Sequence, residues 1–332
     1  MSQSRAAIVG LAGTTLDPEE VALFRATPPL GIILFARNIA DPAQVRGLTA
    51  SIRDLLGEAT PILVDQEGGR VARLRPPHWP EFPPAARFEA LPPEAARANA
   101  ALHGMICREA GFDVVCAPVL DLRLDGAHAV IGDRAFSEDP EEVARQGLAW
   151  AEGLQQAGCI PVVKHVPGHG RAMVDSHFDL PRVTAPREML AEDCGPFAAL
   201  ANLAGWAMTA HIVYEALDPT LPATLSPLVI GQVIRRAIGF PGILVSDDLC
   251  MAALRGAPGE LARQAIEAGC DLVLHCNGVL ADTAAALEGC PVLTEEAAAR
   301  LAETRARVLA ARSPLDAAAL LALRDAQLSA AA

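Results

Sequence analysis

The feature that most constrains the fold is a series of short, almost uninterrupted runs of aliphatic residues, each followed by a stretch with helical periodicity. The runs span residues 6–13, 31–35, 61–66, 113–122, 159–165, 206–212, 242–248 and 271–276. A half-exposed strand alternates between apolar and polar residues, whereas a parallel strand covered on both faces is hydrophobic throughout. The series therefore predicts eight parallel strands that alternate with helices.

The stretches between these runs carry helix start and stop signals. Asp17, Asp41, Asp139 and Ser226 each precede a proline, which places an N-cap residue before a proline at the first helical position. Glycines end amphipathic stretches at positions 57, 111, 158, 239 and 269. Eight strand-helix units predict an α/β fold, a single-domain TIM-type (β/α)8 barrel over residues 1–332, with Ala-rich C-terminal helices at about 293–330. An open doubly wound sheet is the alternative, although no GxGxxG motif follows the first run.

Composition and charge exclude several classes of partner. The net charge is −13 and no run of Lys and Arg is present, so we predict no nucleic-acid partner. No apolar stretch approaches the roughly 20 residues that span a membrane, and the N-terminus lacks a signal core. The eight cysteines include no CxxC pair and predict reduced, buried thiols in a cytoplasmic protein. We expect a monomer without cofactor or metal.

Polar residues stand at or near the ends of six of the predicted strands. They are Asp65, Asp121, Lys164 with His165, His211, Asp247 with Asp248, and His275. Functional side chains of a (β/α)8 barrel gather at the C-terminal strand ends and in the loops that follow. A single polar residue there often caps a helix or anchors a loop, but the repetition favours a functional site.

The segment GILVSDD ends in two consecutive carboxylates. With strand alternation, Asp247 and Asp248 point to opposite faces, so only one of them is expected to reach the barrel mouth. We interpret Asp247 as the reactive carboxylate. Asp248 is then expected to cap a helix that begins near Leu249.

The loop KHVPGHGRAMVDSH, residues 164–177, concentrates charge around two glycines and a proline. Asp175 and His177 flank a serine, so their side chains share one side of an extended segment. A carboxylate beside an imidazole fixes the tautomer and raises the pKa of the ring, which suits proton transfer to a leaving group. The alternative is that both residues are loop residues that bind backbone groups.

Fixed hydrogen-bond donors surround the same predicted mouth. Lys164, His165, Arg134 and Arg73 supply donors for a ligand with hydroxyl or carboxylate oxygens, and Asp65 suits two neighbouring hydroxyls as a bidentate acceptor. A polyol substrate satisfies both requirements. The partner predicted from these residues is therefore a small-molecule polyol.

In these residues and the motifs around them, the chain resembles family 3 glycoside hydrolases, and within them the bacterial β-N-acetylglucosaminidases of cell-wall recycling. The resemblance runs nearly end to end through GIILFARNI, LVDQEGGRVARLR, APVLDL, IGDRAFSEDP, KHVPGHGRAMVDSHFDLP, MTAHIVY and VSDDLCM. KH-x-PGHG followed by DSH is the most specific part. Val166 stands where Phe is usual in the family, and Arg171 where an acidic residue is common.

The resemblance implies an activity and a set of roles. It implies a retaining exo-β-N-acetylglucosaminidase that acts on N-acetylglucosamine joined to anhydro-muramoyl peptides, through a covalent glycosyl-enzyme. The implied nucleophile is Asp247, and the implied general acid/base is His177 assisted by Asp175. The residues implied to hold the sugar ring are Asp65, Arg73, Arg134, Lys164, His165 and, with less support, His211.

Three other functions remain open from the sequence. A metal-dependent barrel hydrolase would draw its ligands from His165, His169, Asp175, His177 and His211, but the His165-x3-His169 spacing spans a Pro-Gly turn and does not fit one helix face. A β-glucosidase specificity is possible because the sequence does not locate a 2-acetamido pocket. A non-catalytic sugar-binding protein would leave Asp247 and His177 idle.

Overall fold

The computed structural model describes residues 4–176 and 179–330. Eight parallel strands form one closed barrel. These barrel strands are β1 (Arg5–Gly10), β2 (Pro29–Leu34), β3 (Ile62–Val64), β4 (Val114–Val115), β5 (Ile160–Val166), β7 (Trp206–Thr209), β9 (Ile243–Asp248) and β10 (Leu272–His275). Two further short strands, β6 (Arg182–Val183) and β8 (Val213–Tyr214), pair with each other beside the barrel.

The barrel closes because the first strand has a partner on each side. β1 pairs with β2 and also with β10, the last strand in the chain, and every pairing in the barrel is parallel. Each of the eight predicted hydrophobic runs overlaps one barrel strand. The predicted (β/α)8 barrel is confirmed, and the doubly wound alternative is wrong.

Helices follow the barrel strands and cover the outside of the barrel. They are α1 (Pro18–Ala26), α2 (Pro42–Leu56), α3 (Pro93–Ala110), α4 (Pro140–Gln156), α5 (Arg187–Leu200), a π-type helix (Val229–Ala237), α6 (Pro258–Ala268), α7 (Leu280–Gly289), α8 (Glu295–Ala311) and α9 (Ala317–Ala330). Asp17, Asp41 and Asp139 accept hydrogen bonds from the first turns of α1, α2 and α4. The proline-preceding caps predicted from the sequence therefore start these helices.

Two apolar layers explain why the strands are hydrophobic throughout. Alternate strand residues such as Ile8, Val162 and Trp206 fill the inside of the barrel. Their neighbours, such as Val9 and Val163, pack outward against the helices. Both faces of each strand are thus removed from water, so alternation between polar and apolar residues is not required.

The cysteines only partly match the prediction. All eight thiols are free, but Cys194 is half-buried and Cys250 is exposed, so the prediction of buried thiols is wrong for Cys250. In the described part of the chain, no helix has the length and apolar character needed to cross a bilayer.

Candidate active site

A cavity of about 500 Å³ lies at the C-terminal end of the barrel. Seven of the residues predicted to act in catalysis or sugar binding line it. They are Asp65, Arg73, Arg134, Lys164, His165, Asp175 and Asp247. Side chains of the barrel interior, among them Ile33, Met208 and Leu274, also contribute to the wall. The cavity thus combines an apolar base with a charged rim.

The centre of the charged rim is Lys164, whose side chain is almost completely buried. Its Nζ lies 2.9 Å from Asp65 Oδ1 and 2.5 Å from Glu67 Oε1. Arg73 donates to the other oxygen of Asp65 at 3.0 Å. Arg134 binds Glu67 with two bonds of 2.7 and 2.9 Å. Three cations and two carboxylates therefore form one connected network.

The network keeps both carboxylates ionised. Burial by itself would raise the pKa of Asp65, but Lys164 and Arg73 hold that pKa far below its usual range. Burial opposes ionisation of Glu67 in the same way, yet Arg134 and Lys164 lower the pKa of Glu67 to about 2. Each Asp65 oxygen receives one donor, and a carboxylate has about four acceptor positions. Asp65 therefore keeps capacity to accept hydroxyl groups from a ligand.

We expect Glu67 to make stability depend on pH in acid. Because its pKa is about 2 in the folded state against 4.5 ordinarily, its stabilising contribution is complete above about pH 4.5 and disappears as the pH falls toward 2. Urea unfolding between pH 6 and pH 2.5 should show a shallower pH dependence for Glu67→Gln than for wild type. Glu267→Gln, on an exposed helix surface, is the matched control and should keep the wild-type slope. Equal slopes for Glu67→Gln and wild type would contradict the expectation.

A second group of contacts in the site centres on Asp121. Its Oδ2 lies 2.7 Å from His165 Nδ1, and its Oδ1 accepts the backbone N–H groups of His165 and His169 at 3.1 and 2.6 Å. The carboxylate is completely buried, and the nearby His165 lowers its pKa against the opposing effect of burial. Asp121 thereby orients the His165 ring and the start of the following loop.

Lys164 and His165 both reach the cavity although they are consecutive in β5. A regular strand sends consecutive side chains to opposite faces. The pairing of β5 with β7 shifts register between Lys164 and Val166. The irregular strand end allows both side chains to line the same cavity.

The loop that carries Asp175 is held at several points. Arg171 pairs with the buried Asp193 at 2.8 Å. The His169 ring lies 3.3 Å from Ser176 Oγ, and the Ser176 carbonyl accepts the N–H of Ala253. Asp175 itself lines the cavity. The prediction for His177 falls outside the described residues.

Asp247 occupies the end of β9 and faces the cavity. Its Oδ1 accepts the N–H of Asp248 at 2.8 Å. Burial opposes ionisation, but the neighbouring imidazoles of His165 and His211 and the Asp248 N–H lower the pKa of Asp247 below its ordinary value. Asp247 is therefore a half-buried carboxylate that remains ionised at neutral pH, which is the state a nucleophile requires.

Asp248 has a structural contact, but two of its predicted features are wrong. Its Oδ1 accepts the N–H groups of Cys250 and Cys276 at 3.0 and 3.1 Å. The segment after Leu249 forms turns, and α6 begins only at Pro258, so Asp248 caps a turn and no helix. Asp248 also contributes to the cavity wall beside Asp247. The pairing of β9 with β10 shifts register between Val245 and Asp248, so the end of β9 is not a regular strand.

His211 lies behind the cavity wall, not on it. The ring is completely buried, its Nδ1 lies 2.7 Å from Thr224 Oγ1 and its Nε2 donates to the Asp248 carbonyl at 3.0 Å. Burial lowers the pKa of His211. Both ring nitrogens already have protein partners, so direct contact with a sugar does not follow from this position. His211 instead supports the strand end that carries Asp247.

Glu67 is a charged residue of the site that the sequence did not indicate. It was visible as the second acid of VDQEGG, two residues after Asp65. Its role depends on Arg134, which is 67 residues away in the chain. Only the folded structure shows that the guanidinium of Arg134 is bound to Glu67. Contact of Arg134 with a ligand would be additional to this ion pair.

Metal ligation was the alternative use of the histidines and Asp175. Among residues 4–176 and 179–330, no group of three or more His, Cys, Asp and Glu is arranged to hold a metal ion. His165 contacts Asp121 and His169 contacts Ser176, so these two rings have protein partners. His177, which is also a candidate ligand, lies outside the described residues.

The chain is similar to known proteins in sequence and in fold. Residues 19–311 match the model of the glycosyl hydrolase family 3 N terminal domain. A β-hexosaminidase of Alkalilimnicola ehrlichii is 44% identical over 282 residues, which are 81% of this chain and 80% of that protein. A β-hexosaminidase of Methylococcus capsulatus is 39% identical over 321 residues, 94% of this chain and 93% of that protein. The structure of NagZ from Neisseria gonorrhoeae in complex with N-trifluoroacetyl-D-glucosamine is similar with a TM-score of 0.86, 33% identity and 98% coverage of both chains.

Proposed function

Because this chain belongs to glycoside hydrolase family 3 and is a β-hexosaminidase, we propose that it is a retaining exo-β-N-acetylglucosaminidase acting on peptidoglycan fragments. The observation that carries the proposal is the position of Asp247. It is a half-buried carboxylate with a lowered pKa, on the wall of a cavity whose opposite rim holds Asp65 between Lys164 and Arg73. That pairing suits attack on an anomeric carbon while the hydroxyl groups of the same ring are held.

In the first step, an Asp247 oxygen attacks the anomeric carbon of the bound sugar. The bond between that carbon and the leaving-group oxygen breaks, and His177 transfers a proton to this oxygen. In the second step, His177 removes a proton from water, and the water oxygen displaces Asp247. Two displacements at one carbon retain the anomeric configuration.

The walls of the cavity support a terminal sugar as the ligand. We propose that Asp65 accepts two neighbouring hydroxyls of the ring, with Lys164, Arg73, Arg134 and His165 as further polar contacts. The apolar side chains of Ile33, Met208 and Leu274 lie at the barrel end of the cavity and suit the C–H face of a pyranose. Because the barrel interior is filled below them, a sugar has room to enter from one side only.

Asp175 is proposed to assist His177 from the same loop. A nearby carboxylate stabilises the protonated imidazole, so that the ring holds a proton until the leaving oxygen needs it. After it has transferred its proton, the imidazole of His177 is neutral. A carboxyl group in the same role would then be negatively charged and would repel Asp247. This is the reason we favour a histidine as the acid/base here.

The natural substrate is proposed to be a fragment in which N-acetylglucosamine is joined to an anhydro-muramoyl peptide. The relatives named β-hexosaminidase and the sugar-derived ligand of the NagZ structure support the N-acetylglucosamine part. We further propose that the enzyme works in the cytoplasm as a monomer without a cofactor. A β-glucosidase specificity is the second candidate, since the cavity walls do not by themselves identify the 2-substituent.

The decisive experiment compares hydrolysis of an aryl β-N-acetylglucosaminide with the matching β-glucoside, with a chelator present throughout. Turnover of the first substrate only, with the β-anomer seen first by proton NMR, is the expected result. Preferred cleavage of the glucoside would replace the proposed specificity. Loss of activity on chelation would replace the proposed chemistry.

We expect His177→Ala to lose about 10²- to 10⁴-fold in kcat on substrates with a poor leaving group. The loss should be much smaller on a dinitrophenyl glycoside, whose leaving oxygen needs no proton. The pH-rate profile should also lose the limb due to the acid/base. His78→Ala, an exposed histidine outside the cavity, is the control. An unchanged pH-rate profile in His177→Ala would exclude His177 as the acid/base.

A further inference from the structure

A buried chain of hydrogen bonds runs from the C-terminal helix α9 to the turn that follows β3. Arg324 Nη1 donates to Asn99 Oδ1 at 3.3 Å. Asn99 Nδ2 lies 3.4 Å from His103 Nε2, and His103 Nδ1 lies 3.0 Å from the Gln66 carbonyl oxygen. Asn99, His103 and Gln66 are completely buried. The last member, Gln66, stands between Asp65 and Glu67.

The donor and the acceptor of each hydrogen bond in this series follow from the two groups at its ends, the Gln66 carbonyl and the Arg324 guanidinium. The Gln66 carbonyl only accepts, so His103 Nδ1 carries the hydrogen. Burial, reinforced by the Arg324 charge, lowers the pKa of His103 to about 3, so the ring is neutral and Nε2 is an acceptor. Asn99 then donates to His103 through its amide nitrogen and accepts from Arg324 through its oxygen. Each of the three hydrogen bonds therefore joins one donor to one acceptor.

Arg324 is buried in a helix that is otherwise mostly exposed. Within the described part of α9 it is the one buried residue, while Leu321 and Leu323 point to solvent. Its guanidinium lies 5.6 Å over the Phe82 ring and also binds Asp325. Burying a charge is costly unless it is hydrogen-bonded. The arrangement therefore favours a specific contact of Arg324 over simple hydrophobic docking of the helix.

Gln66 connects this series of hydrogen bonds to Asp65 and Glu67, the two carboxylates on the cavity wall. Its side-chain oxygen accepts the N–H groups of Arg73 and Leu74 at 2.9 and 3.0 Å, and its amide nitrogen donates to the Leu74 carbonyl. Its backbone links Asp65 directly to Glu67. The position of Gln66 therefore fixes Asp65, Glu67 and the backbone of Arg73 relative to one another.

We propose that Arg324 is a positioning residue for the sugar site, acting through Asn99, His103 and Gln66 on Asp65 and Glu67. The proposal rests on the proposed role of Asp65 in holding the sugar. Helix α9 lies outside residues 19–311, which match the family model. The contact thus connects a C-terminal helix to a site built within that matched region.

The test compares Arg324→Met, Arg324→Lys and Leu328→Ala in the full chain. Met removes the charge and the hydrogen bonds but keeps an unbranched side chain. Leu328 packs its partly buried side chain against the core from the same helix without a contact in the hydrogen-bond chain, so its substitution loosens α9 alone. We expect Arg324→Met to raise KM for the aryl N-acetylglucosaminide and Ki for N-acetylglucosamine in parallel, by roughly 3- to 10-fold, with kcat nearly unchanged. Arg324→Lys should recover part of this loss.

Hydrogen exchange provides a second readout that does not need activity. The amides of Arg73 and Leu74 should exchange faster in Arg324→Met than in wild type, and at the wild-type rate in Leu328→Ala. Equal KM and Ki changes in the Met and Leu328→Ala variants would overturn the proposal, because they would indicate a general loss of helix docking. Unchanged KM, Ki and amide exchange in Arg324→Met would overturn it as well.

Failure of the proposed function gives a different result. If wild type neither cleaves the N-acetylglucosaminide nor binds N-acetylglucosamine, the sugar role of Asp65 is wrong and the affinity part of this proposal is overturned with it. Faster exchange at Arg73 and Leu74 in Arg324→Met would still support the positioning part. An active wild type with unchanged values in the variant overturns this inference alone.

Discussion

Asp247→Asn is expected to lower kcat by about 10⁴-fold or more, a loss of the size seen when a catalytic nucleophile is removed. The amide keeps an oxygen that can accept the Asp248 N–H, so the end of β9 should retain its structure. What is lost is the negative charge, which the neighbouring imidazoles favour in the wild type. Steady-state kinetics on the aryl N-acetylglucosaminide provides the measurement.

Asp248→Asn is the matched control for this variant. It changes the adjacent carboxylate in the same way, and the amide oxygen can still accept the N–H groups of Cys250 and Cys276. We expect activity within about tenfold of wild type, since neutral acceptors replace charged ones in two hydrogen bonds. Losses of equal size in the two variants would show that Asp247 is not the nucleophile. In the wild type, a slow fluorinated substrate should leave its glycosyl group on Asp247. Peptide mass spectrometry locates the labelled residue.

Lys164→Met is expected to lower the free energy of unfolding by about 3 to 5 kcal/mol, the usual cost of removing one partner from a buried ion pair. The substitution leaves the half-buried Asp65 and the buried Glu67 without the ammonium group that both contact. Their burial then raises the pKa of each carboxyl relative to wild type. Urea denaturation at pH 7 gives the measurement, and KM should rise because Asp65 loses its fixed position.

The pH dependence of this loss has a defined sign. In wild type the lowered pKa of Asp65 and Glu67 makes their contribution complete above the unfolded-state pKa of about 4 and smaller below it. The difference between wild type and Lys164→Met should therefore be largest at neutral pH and shrink below about pH 4.

Arg263→Met is the control for position, because Arg263 pairs with Glu267 on an exposed helix surface. Its effect should stay below about 1 kcal/mol. A Lys164→Met protein as stable as the Arg263→Met protein would contradict the view that the buried network is closely coupled.

The fold was predictable because the decisive signal is local and repeated. Each strand of the barrel needs only a short apolar run, and the helices α1 and α4 start at the cap residues Asp17 and Asp139. Eight repeats of this pattern leave few topologies. The prediction was wrong where a tertiary contact took the place of the local structure that the sequence indicates. At Asp248, backbone N–H groups of Cys250 and Cys276 replace the expected helix N-terminus.

Much of the candidate site was also predictable, since C-terminal strand ends of a barrel converge. Asp65, Lys164, His165 and Asp247 stand at or beside such ends and line one cavity. His211 shows the limit of this reasoning. It follows a strand end too, but both of its ring nitrogens face protein groups behind the wall. Position along the chain does not reveal which way a buried ring points.

By itself the sequence determined the alternation of strands and helices, the closed parallel barrel and the end of the barrel at which charge collects. These properties depend on hydrophobic periodicity and capping, which act over a few neighbouring residues. Only the tertiary structure decided that Glu67 joins Lys164 and Arg134, that Asp121 orients His165, and that Arg324 reaches Gln66 through α3. Those contacts join residues tens to hundreds of positions apart, and the packing of the whole barrel determines which of them form.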